Sequence, residues 1–134
     1  MRIMLDTNIL ISTIYSPSGA PALAYKKACE PPHDLVLCDQ IIDELRRIFN
    51  RKFPTKIASM ERFLAIAQYD LITLTADDSV VSSEQYIRDV NDRPILRAAL
   101  KAHVDIFVTG DKDFLESNLK NPHIITADEF ININ

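Results

Sequence analysis

The amino-acid sequence predicts an α/β fold in which a mostly parallel sheet is covered by helices on both faces. Short, nearly continuous apolar runs, which are typical of buried parallel strands, alternate along the chain with longer segments of helical periodicity. The length of 134 residues is that of one domain, and neither repeats nor low-complexity segments interrupt it. We therefore expect a single domain over residues 1–134.

The strands are expected where short apolar runs lack a helical stripe. The run Leu-Val-Leu-Cys after Asp34 is a clear example, and the run near the C-terminus is the weakest. The expected strands are residues 3–5, 35–38, 71–74, 106–108 and 124–125.

The helices are expected where apolar residues recur every three or four positions. Ile41, Leu45 and Ile48 form such a stripe. Pro54 suits the first turn of the next helix, because proline lacks an N–H that would be unpaired there anyway. The segment after Pro21 is rich in alanine, which favours helix. The expected helices are residues 21–29, 40–49, 54 to about 68, 93–102 and 114–119.

Composition and charge exclude several classes of protein. No apolar run approaches the ~20 residues that a membrane span needs, and the first residues do not form a signal peptide. Cys29 and Cys38 lack metal-type spacing and the three histidines are scattered, so we expect reduced thiols, no zinc site and a cytoplasmic location. The net charge of −4 argues weakly against nucleic acid, but residues 46–62 hold six basic residues and one acid. A solvated helix face explains that basic run equally well.

Two aspartates directly follow expected strands. Asp6 ends the first strand, and Asp111 follows Thr109-Gly110 at the end of the fourth. Ligands of parallel α/β sheets bind outside the carboxyl ends of the strands, near the point where strand order reverses. Aspartate is also a favoured cap of a following helix, so each of these acids alone has a structural explanation.

Two further acids lie on the apolar faces of expected helices. Asp92 precedes Ile95 and Leu96 by three and four residues, which places it at the head of a buried stripe unless it only caps the helix. Glu44 flanks the stripe of the helix after the second strand, where capping is not available to it. An unpaired carboxylate near a core is costly, so we expect Glu44 to contact a cation, a donor or a metal ion.

A metal ion shared by these acids predicts the order of the strands. Mg²⁺ takes oxygen ligands at about 2.0–2.1 Å, and adjacent strands lie about 4.8 Å apart. If Asp6 and Asp111 share an ion, the first and fourth strands must be neighbours. Right-handed crossovers then give the order 3-2-1-4-5, with the switch point between strands one and four. The helices that carry Glu44 and Asp92 can both open onto that point.

Four segments of the chain resemble the four successive motifs of PIN-domain ribonucleases. They are “MLDTNILIS”, “IIDELRRIF”, “DVNDRPILRAAL” and “FVTGDKDF”. The likeness extends over nearly the whole chain and is greatest to bacterial and archaeal PIN proteins identified as toxin components of toxin–antitoxin pairs. It implies a three-layer α/β/α sandwich with a parallel sheet of about five strands. One departure concerns local substrate contacts, because close relatives often follow the third acid with asparagine and a basic residue, where this chain has Arg93-Pro94.

The resemblance also implies an activity and a set of site residues. The activity is metal-dependent endonucleolytic hydrolysis of RNA phosphodiester bonds, with Mg²⁺ or Mn²⁺ as cofactor. The implied catalytic and metal-binding acids are Asp6, Glu44, Asp92 and Asp111. The expected supporting residues are Asn8, Asp89, Thr109 and Asp113. The expected RNA-binding residues are Arg46, Arg47, Arg51 and Lys52.

The expected partners are RNA, a cognate antitoxin protein and a second copy of the chain, with no membrane contact. Phe53, Phe63 and Tyr69 would suit such docking, unless they pack on each other and on the sheet. A non-catalytic PIN-like module that binds RNA or protein is the alternative, which the negative net charge keeps open. An aspartate-dependent phosphatase is disfavoured, because it needs a second acid at the position of Asn8.

Overall fold

The sheet confirms the expected α/β architecture and strand order. The computed structural model describes residues 1–133 and contains the strands β1 (Arg2–Leu5), β2 (Asp34–Cys38), β3 (Asp70–Ile72), β4 (Ile106–Val108) and β5 (His123–Ile125). They form one sheet in the order β3-β2-β1-β4-β5, and every neighbouring pair is parallel. The switch point therefore lies between β1 and β4, as predicted.

Helices cover both faces of this sheet. They are α1 (Thr7–Tyr15), α2 (Ala20–Cys29), α3 (Asp39–Lys52), α4 (Ile57–Ile66), α5 (Arg93–Lys101), α6 (Lys112–Leu115) and α7 (Ala127–Asn132). Crossovers between parallel strands are right-handed. The chain moves across the sheet in one direction from β1 to β3 and in the other direction from β3 to β5, so the two sets of crossover helices lie on opposite faces. The expected three-layer sandwich follows. Within residues 1–133, every helix is too short or too polar to span a bilayer.

The two central strands fix the position of the site. Every residue of β4 is buried, and Phe107 packs edge-on against Phe114 of α6 with ring centroids 4.8 Å apart. Such strands are apolar without alternation because both of their faces are covered. The amide of Asp6 extends the ladder between β1 and β4 by donating to the carbonyl oxygen of Val108 at 2.9 Å. The carboxyl ends of β1 and β4 are thereby held side by side.

Several elements differ from the pattern-based expectation. The pattern predicts no helix for residues 7–15 or 127–132, where the structure has α1 and α7. The strand expected at residues 71–74 is β3, which begins one residue earlier and ends two residues earlier. The helix expected at 114–119 is α6, which ends at Leu115, and the chain turns at Asn118, whose φ of 62° lies in the left-handed region.

The segment between β3 and α5 is anchored to α5 by charged side chains. Glu84 is only 3% exposed and accepts hydrogen bonds at 2.7 and 2.9 Å from the guanidinium of Arg97. Lys101 anchors the beginning of the segment through an ion pair of 2.9 Å with Asp78. These contacts hold the segment whose end, a 3₁₀ turn at Val90–Asp92, leads into α5 at the acid-bearing edge of the sheet.

Candidate active site

Asp6 lies buried at the carboxyl end of β1. It is 6% exposed, and its Oδ1 and Oδ2 accept hydrogen bonds from the Thr7 amide at 2.8 Å and from the Thr109 hydroxyl at 2.6 Å. Burial raises the pKa of Asp6 to about 6; these two hydrogen bonds lower it, and the charges of Glu44 and Asp111 raise it further. Asp6 therefore caps α1 and interacts with the other acids at the same time.

Thr109 joins Asp6 to Asp111. Its fully buried hydroxyl donates to Asp6, and the same oxygen accepts a hydrogen bond from the amide of Asp111 at 3.0 Å. The carboxylate of Asp111 accepts from the amide of Asp113 at 2.9 Å and so caps α6. The capping role that the sequence left open for Asp111 is therefore present in the structure. The supporting role expected of Thr109 in catalysis stays a prediction.

Asp92 has the higher pKa of the two strongly perturbed acids. It is half-buried at the end of the 3₁₀ turn before α5. Burial is the main cause that raises the pKa of Asp92 to about 7, and the charges of Asp89, Asp111, Asp6 and Glu44 add to it. Its side chain makes no capping bond to α5, and within residues 1–133 no donor reaches its carboxylate. The purely structural explanation for this acid, a helix cap, is therefore wrong.

Glu44 is half-buried on the second turn of α3, and its carboxylate lies near those of Asp6 and Asp92. Its charge raises the pKa of both Asp6 and Asp92, so its carboxylate is near enough to interact with theirs. Within the described part of the chain, no lysine or arginine pairs with Glu44. Of the three partners expected for Glu44, this part of the chain therefore does not supply a cation.

Three carboxylates form the tightest group. One oxygen each from Asp89, Asp92 and Asp113 lies within 4.8 Å of the other two. The sequence ranks Asp89 and Asp113 as supporting residues, whereas the structure places them directly beside Asp92. Asp113 is also paired with Arg88 at 2.8 Å, a contact for which the sequence gives no signal. The other three predicted ligands lie outside this group but add their charge to it.

The donor set fits a hard divalent cation. Mg²⁺ prefers oxygen ligands and carboxylates, and oxygen ligands also suit Mn²⁺. Among residues 1–133 no lysine or arginine pairs with Asp92 or Glu44, and the charges of the neighbouring acids help, by repulsion, to raise the pKa of Asp6 and of Asp92. A divalent ion would remove that repulsion. Metal affinity at such a site falls as the carboxylates take up protons.

Asn8 lies beside the turn that carries the fourth motif. It is exposed on α1, and its Nδ2 is 3.5 Å from the position that a β-carbon would take at Gly110. The glycine therefore brings the backbone between Thr109 and Asp111 close to this amide. The supporting role of Asn8 stays a prediction.

The expected RNA-binding residues lie along α3. Arg46 donates two hydrogen bonds, at 2.9 and 3.0 Å, to Glu61 of α4. Arg51 and Lys52 end the helix, which places them about 10 Å along its axis from Glu44. These residues and Arg47 are exposed, and within residues 1–133 none of them forms an ion pair with a predicted site acid. Their contact with RNA stays a prediction.

A sizeable hollow lies elsewhere. A cavity of about 550 Å³ opens at the opposite edge of the sheet, where Asp34 begins β2 and Asp70 begins β3. The predicted site acids do not line it. The candidate site is thus defined by charge and hydrogen bonding and not by the volume of a cavity.

The fold and its acid-lined edge define an α/β protein whose candidate ligand site is the switch point between β1 and β4. Residues 2–113 match the family model described as PIN domain, so the chain belongs to the PIN domain family. This confirms the resemblance of the four sequence motifs.

One solved structure supports the fold independently. The crystal structure of VapBC2 from Rickettsia felis bound to a DNA fragment from their promoter contains a chain that aligns with a TM-score of 0.70 and 16% identity. The alignment covers 94% of this chain and 98% of that chain. At that identity the similarity establishes a shared fold. No curated protein matches the sequence.

Proposed function

We propose that this protein is an endoribonuclease that depends on Mg²⁺ or Mn²⁺. The observation that carries the proposal is the convergence of acids on Asp92, whose pKa rises to about 7 under burial and the charges of four other carboxylates. Membership of the PIN domain family, whose members are generally nucleases, supports the same activity. Perturbed carboxylates at a switch point are also a general mark of functional sites.

In this proposal the acids bind the metal, and Thr109 orients one of them. Asp6, Glu44, Asp92 and Asp111 would hold one or two ions, with Asp89 and Asp113 beside them. A bound Mg²⁺ or Mn²⁺ would supply an activated water and would stabilise charge on the phosphate. Thr109 fixes the orientation of the Asp6 carboxylate through its bond of 2.6 Å. With pKa values of about 6 and 7, Asp6 and Asp92 are ionised and ready to bind metal at pH 8.

The test is RNA cleavage by the double variant Asp6→Asn/Asp111→Asn. Wild-type protein should cut single-stranded RNA with Mn²⁺ or Mg²⁺, leave 5′-phosphate and 3′-hydroxyl ends, and stop in EDTA. The double variant should not cleave detectably. The control variant Asp77→Asn removes an exposed acid that is not among the predicted site residues, and it should cleave like wild type. If the double variant cleaves as fast as wild type, the proposal is wrong.

A non-catalytic module that binds RNA or protein is the alternative, favoured only by the net charge of −4. Mn²⁺ separates it from the enzyme, because an ion that binds the native state alone raises the melting temperature. A protein that binds RNA, gains no stability from Mn²⁺ and does not cleave would be such a module.

The toxin assignment adds a protein partner to the proposal. It is supported by the motif resemblance and by a fold shared with a chain of the VapBC2 structure. An apolar hollow of about 420 Å³ between α1, α2 and α4 includes Phe63 and Ile66, and Ile66 is 72% exposed. A partner protein covering this hollow would bury that surface. Co-expression with a neighbouring small reading frame, followed by purification of a stable complex, tests this part.

The aromatic residues expected to dock a partner are mostly used within the chain. The ring of Phe53 lies 4.6 Å from that of Tyr15, and the ring of Phe63 lies 4.9 Å from that of Tyr25. Tyr69 is half-buried against the core. Packing therefore explains Phe53 and Tyr69 better than docking does, whereas Phe63 also lines the apolar hollow. The formation of a homodimer stays a prediction.

The free thiols of Cys29 and Cys38 support a proposed location in the reducing cytoplasm.

A further inference from the structure

Arg88 places a guanidinium at the rim of the carboxylate group. Its Nε lies 2.8 Å from Oδ1 of Asp113, and its Nη2 lies 3.5 Å from Oε1 of Glu116. Asp113 belongs to the three acids whose oxygens lie within 4.8 Å of one another, so one carboxylate separates Arg88 from Asp92. Among residues 1–133, Arg88 is the basic residue that forms an ion pair with a predicted site acid.

The guanidinium is held in place and yet open to solvent. The Arg88 side chain is 63% exposed, and the two acids contact two of its three nitrogens. A guanidinium has five N–H donors in a rigid fork, so donors remain for a further anion. Asp113 lies within α6 and Glu116 directly follows it, and this short helix therefore fixes both acids that hold the fork.

Even with a metal ion bound, a further cation at the rim of an acid-lined site favours the entry of a polyanion, because phosphates and carboxylates repel each other. Three of the four expected basic residues of α3, namely Arg46, Arg51 and Lys52, do not supply such a cation. Arg46 is committed to Glu61 at 2.9 Å, and Arg51 lies about 10 Å along the helix axis from Glu44. Arg88 is the better placed residue.

We propose that Arg88 binds a phosphate of the RNA backbone next to the carboxylate group, with Asp113 and Glu116 fixing the direction of its guanidinium. Arginine binds phosphate through two parallel N–H bonds, a geometry that lysine cannot reproduce. The inference rests on the proposed ribonuclease function and names the residue that positions the substrate for it. It adds an RNA contact in the segment before α5 to those expected on α3.

The test measures the affinity for a labelled single-stranded RNA by fluorescence anisotropy. Ca²⁺ replaces Mn²⁺, and a gel verifies that the RNA stays intact. Arg88→Gln should raise the Kd about tenfold, as expected for one charge-assisted contact. It should also reduce the slope of log K against log salt by about 0.7, the value for one phosphate contact on a single strand. Arg88→Lys should keep most of the salt slope and lose part of the affinity.

Arg62→Gln is the matched control, because it removes an exposed arginine on α4, outside the carboxylate group. It should leave the Kd and the salt slope at their wild-type values. The melting temperature of Arg88→Gln should lie within about 4 °C of the wild-type value, since exposed ion pairs contribute little. An unchanged salt slope in Arg88→Gln, or an equal loss in Arg62→Gln, would overturn the proposal.

The outcomes also separate this inference from the proposed function. If wild type binds RNA through Arg88 but does not cleave it with Mn²⁺, the ribonuclease proposal fails and the phosphate contact stands. If cleavage depends on Asp6 and Asp111 while Arg88→Gln binds RNA like wild type, only the phosphate contact fails. If wild type does not bind RNA at all, both are overturned.

Discussion

Replacing Asp92 by asparagine should stabilise the protein when no metal is present. Folding raises the pKa of Asp92 from 3.8 to about 7, mainly through burial and then through neighbouring acids. At pH 8 the ionised carboxylate therefore destabilises the fold by about 1.4 kcal/mol for each pH unit between the two pKa values. That difference sets an upper limit of about 4 kcal/mol, and contact of the half-buried carboxylate with solvent reduces the expected gain to about 1–3 kcal/mol. Asparagine has the same shape, and no hydrogen bond to the carboxylate is lost.

The gain has a defined pH dependence. Because the folded-state pKa of Asp92 lies above the unfolded value, the native state binds the extra proton between about pH 4 and pH 7. The free energy of unfolding of the wild type should therefore rise as the pH falls through this range. Asp92→Asn lacks this contribution, so the two stability curves should converge near pH 4.

Urea denaturation in EDTA at pH 8, 6 and 4 measures the effect. Asp77→Asn is the control, an exposed acid whose replacement should change stability by less than about 0.5 kcal/mol. Mn²⁺ at about 1,000 times its Kd should reverse the order, since an ion at that concentration stabilises the wild type by about 4.1 kcal/mol and the variant has lost a ligand. No gain at pH 8, or an equal gain at pH 4, would refute the reasoning.

Three further substitutions test other contacts. Thr109→Val removes the hydroxyl that lowers the pKa of Asp6, so it should destabilise by about 1–3 kcal/mol and shift Mn²⁺ binding to higher pH in a calorimetric pH series. Arg97→Met leaves Glu84 without its partly exposed cation and should cost about 1–3 kcal/mol in urea at pH 7. Arg97 lowers the pKa of Glu84, so the loss of stability should shrink below pH 4.5 as Glu84 becomes protonated. A loss that is unchanged at pH 3 would contradict this prediction. Thr126→Ala removes the cap of α7 and should lower stability by about 1 kcal/mol, whereas Thr126→Ser should retain it in thermal melting.

The strand order could be predicted from the sequence because it follows from a few residues. Two acids at the ends of different strands require those strands to be neighbours if they are to meet, and the bond from the Asp6 amide to Val108 shows that they are. Burial on both faces of β1 and β4 leaves apolar runs that are easily recognised. Right-handed crossovers then admit few alternatives.

The missed helices have different physical reasons. Residues 7–15 are rich in isoleucine and threonine, which favour helix weakly, and α1 is held instead by the Asp6 cap and by burial of Ile9 and Leu10. In contrast, α7 carries a readable signal, because Thr126 and Glu129 form a capping box in both directions. A search for that motif would have found it.

The site could be predicted in its main acids but not in its neighbours. Acids at strand ends and on apolar stripes violate the usual pattern and are therefore conspicuous. The tight approach of Asp89 and Asp113 to Asp92 depends on the path of the segment after β3, which the buried Glu84–Arg97 pair fixes. No local property of the sequence distinguishes Arg88 from the other exposed arginines.

Anomalous diffraction from crystals soaked in Mn²⁺ is the most direct measurement of the carboxylate centre. The assignment predicts a manganese peak with oxygen ligands from Asp6, Asp92 and Asp111, and loss of that peak in Asp92→Asn. A protein that cleaves RNA with Mn²⁺ but shows no peak there, or a peak bounded by Asp89 and Asp113 alone, would contradict it.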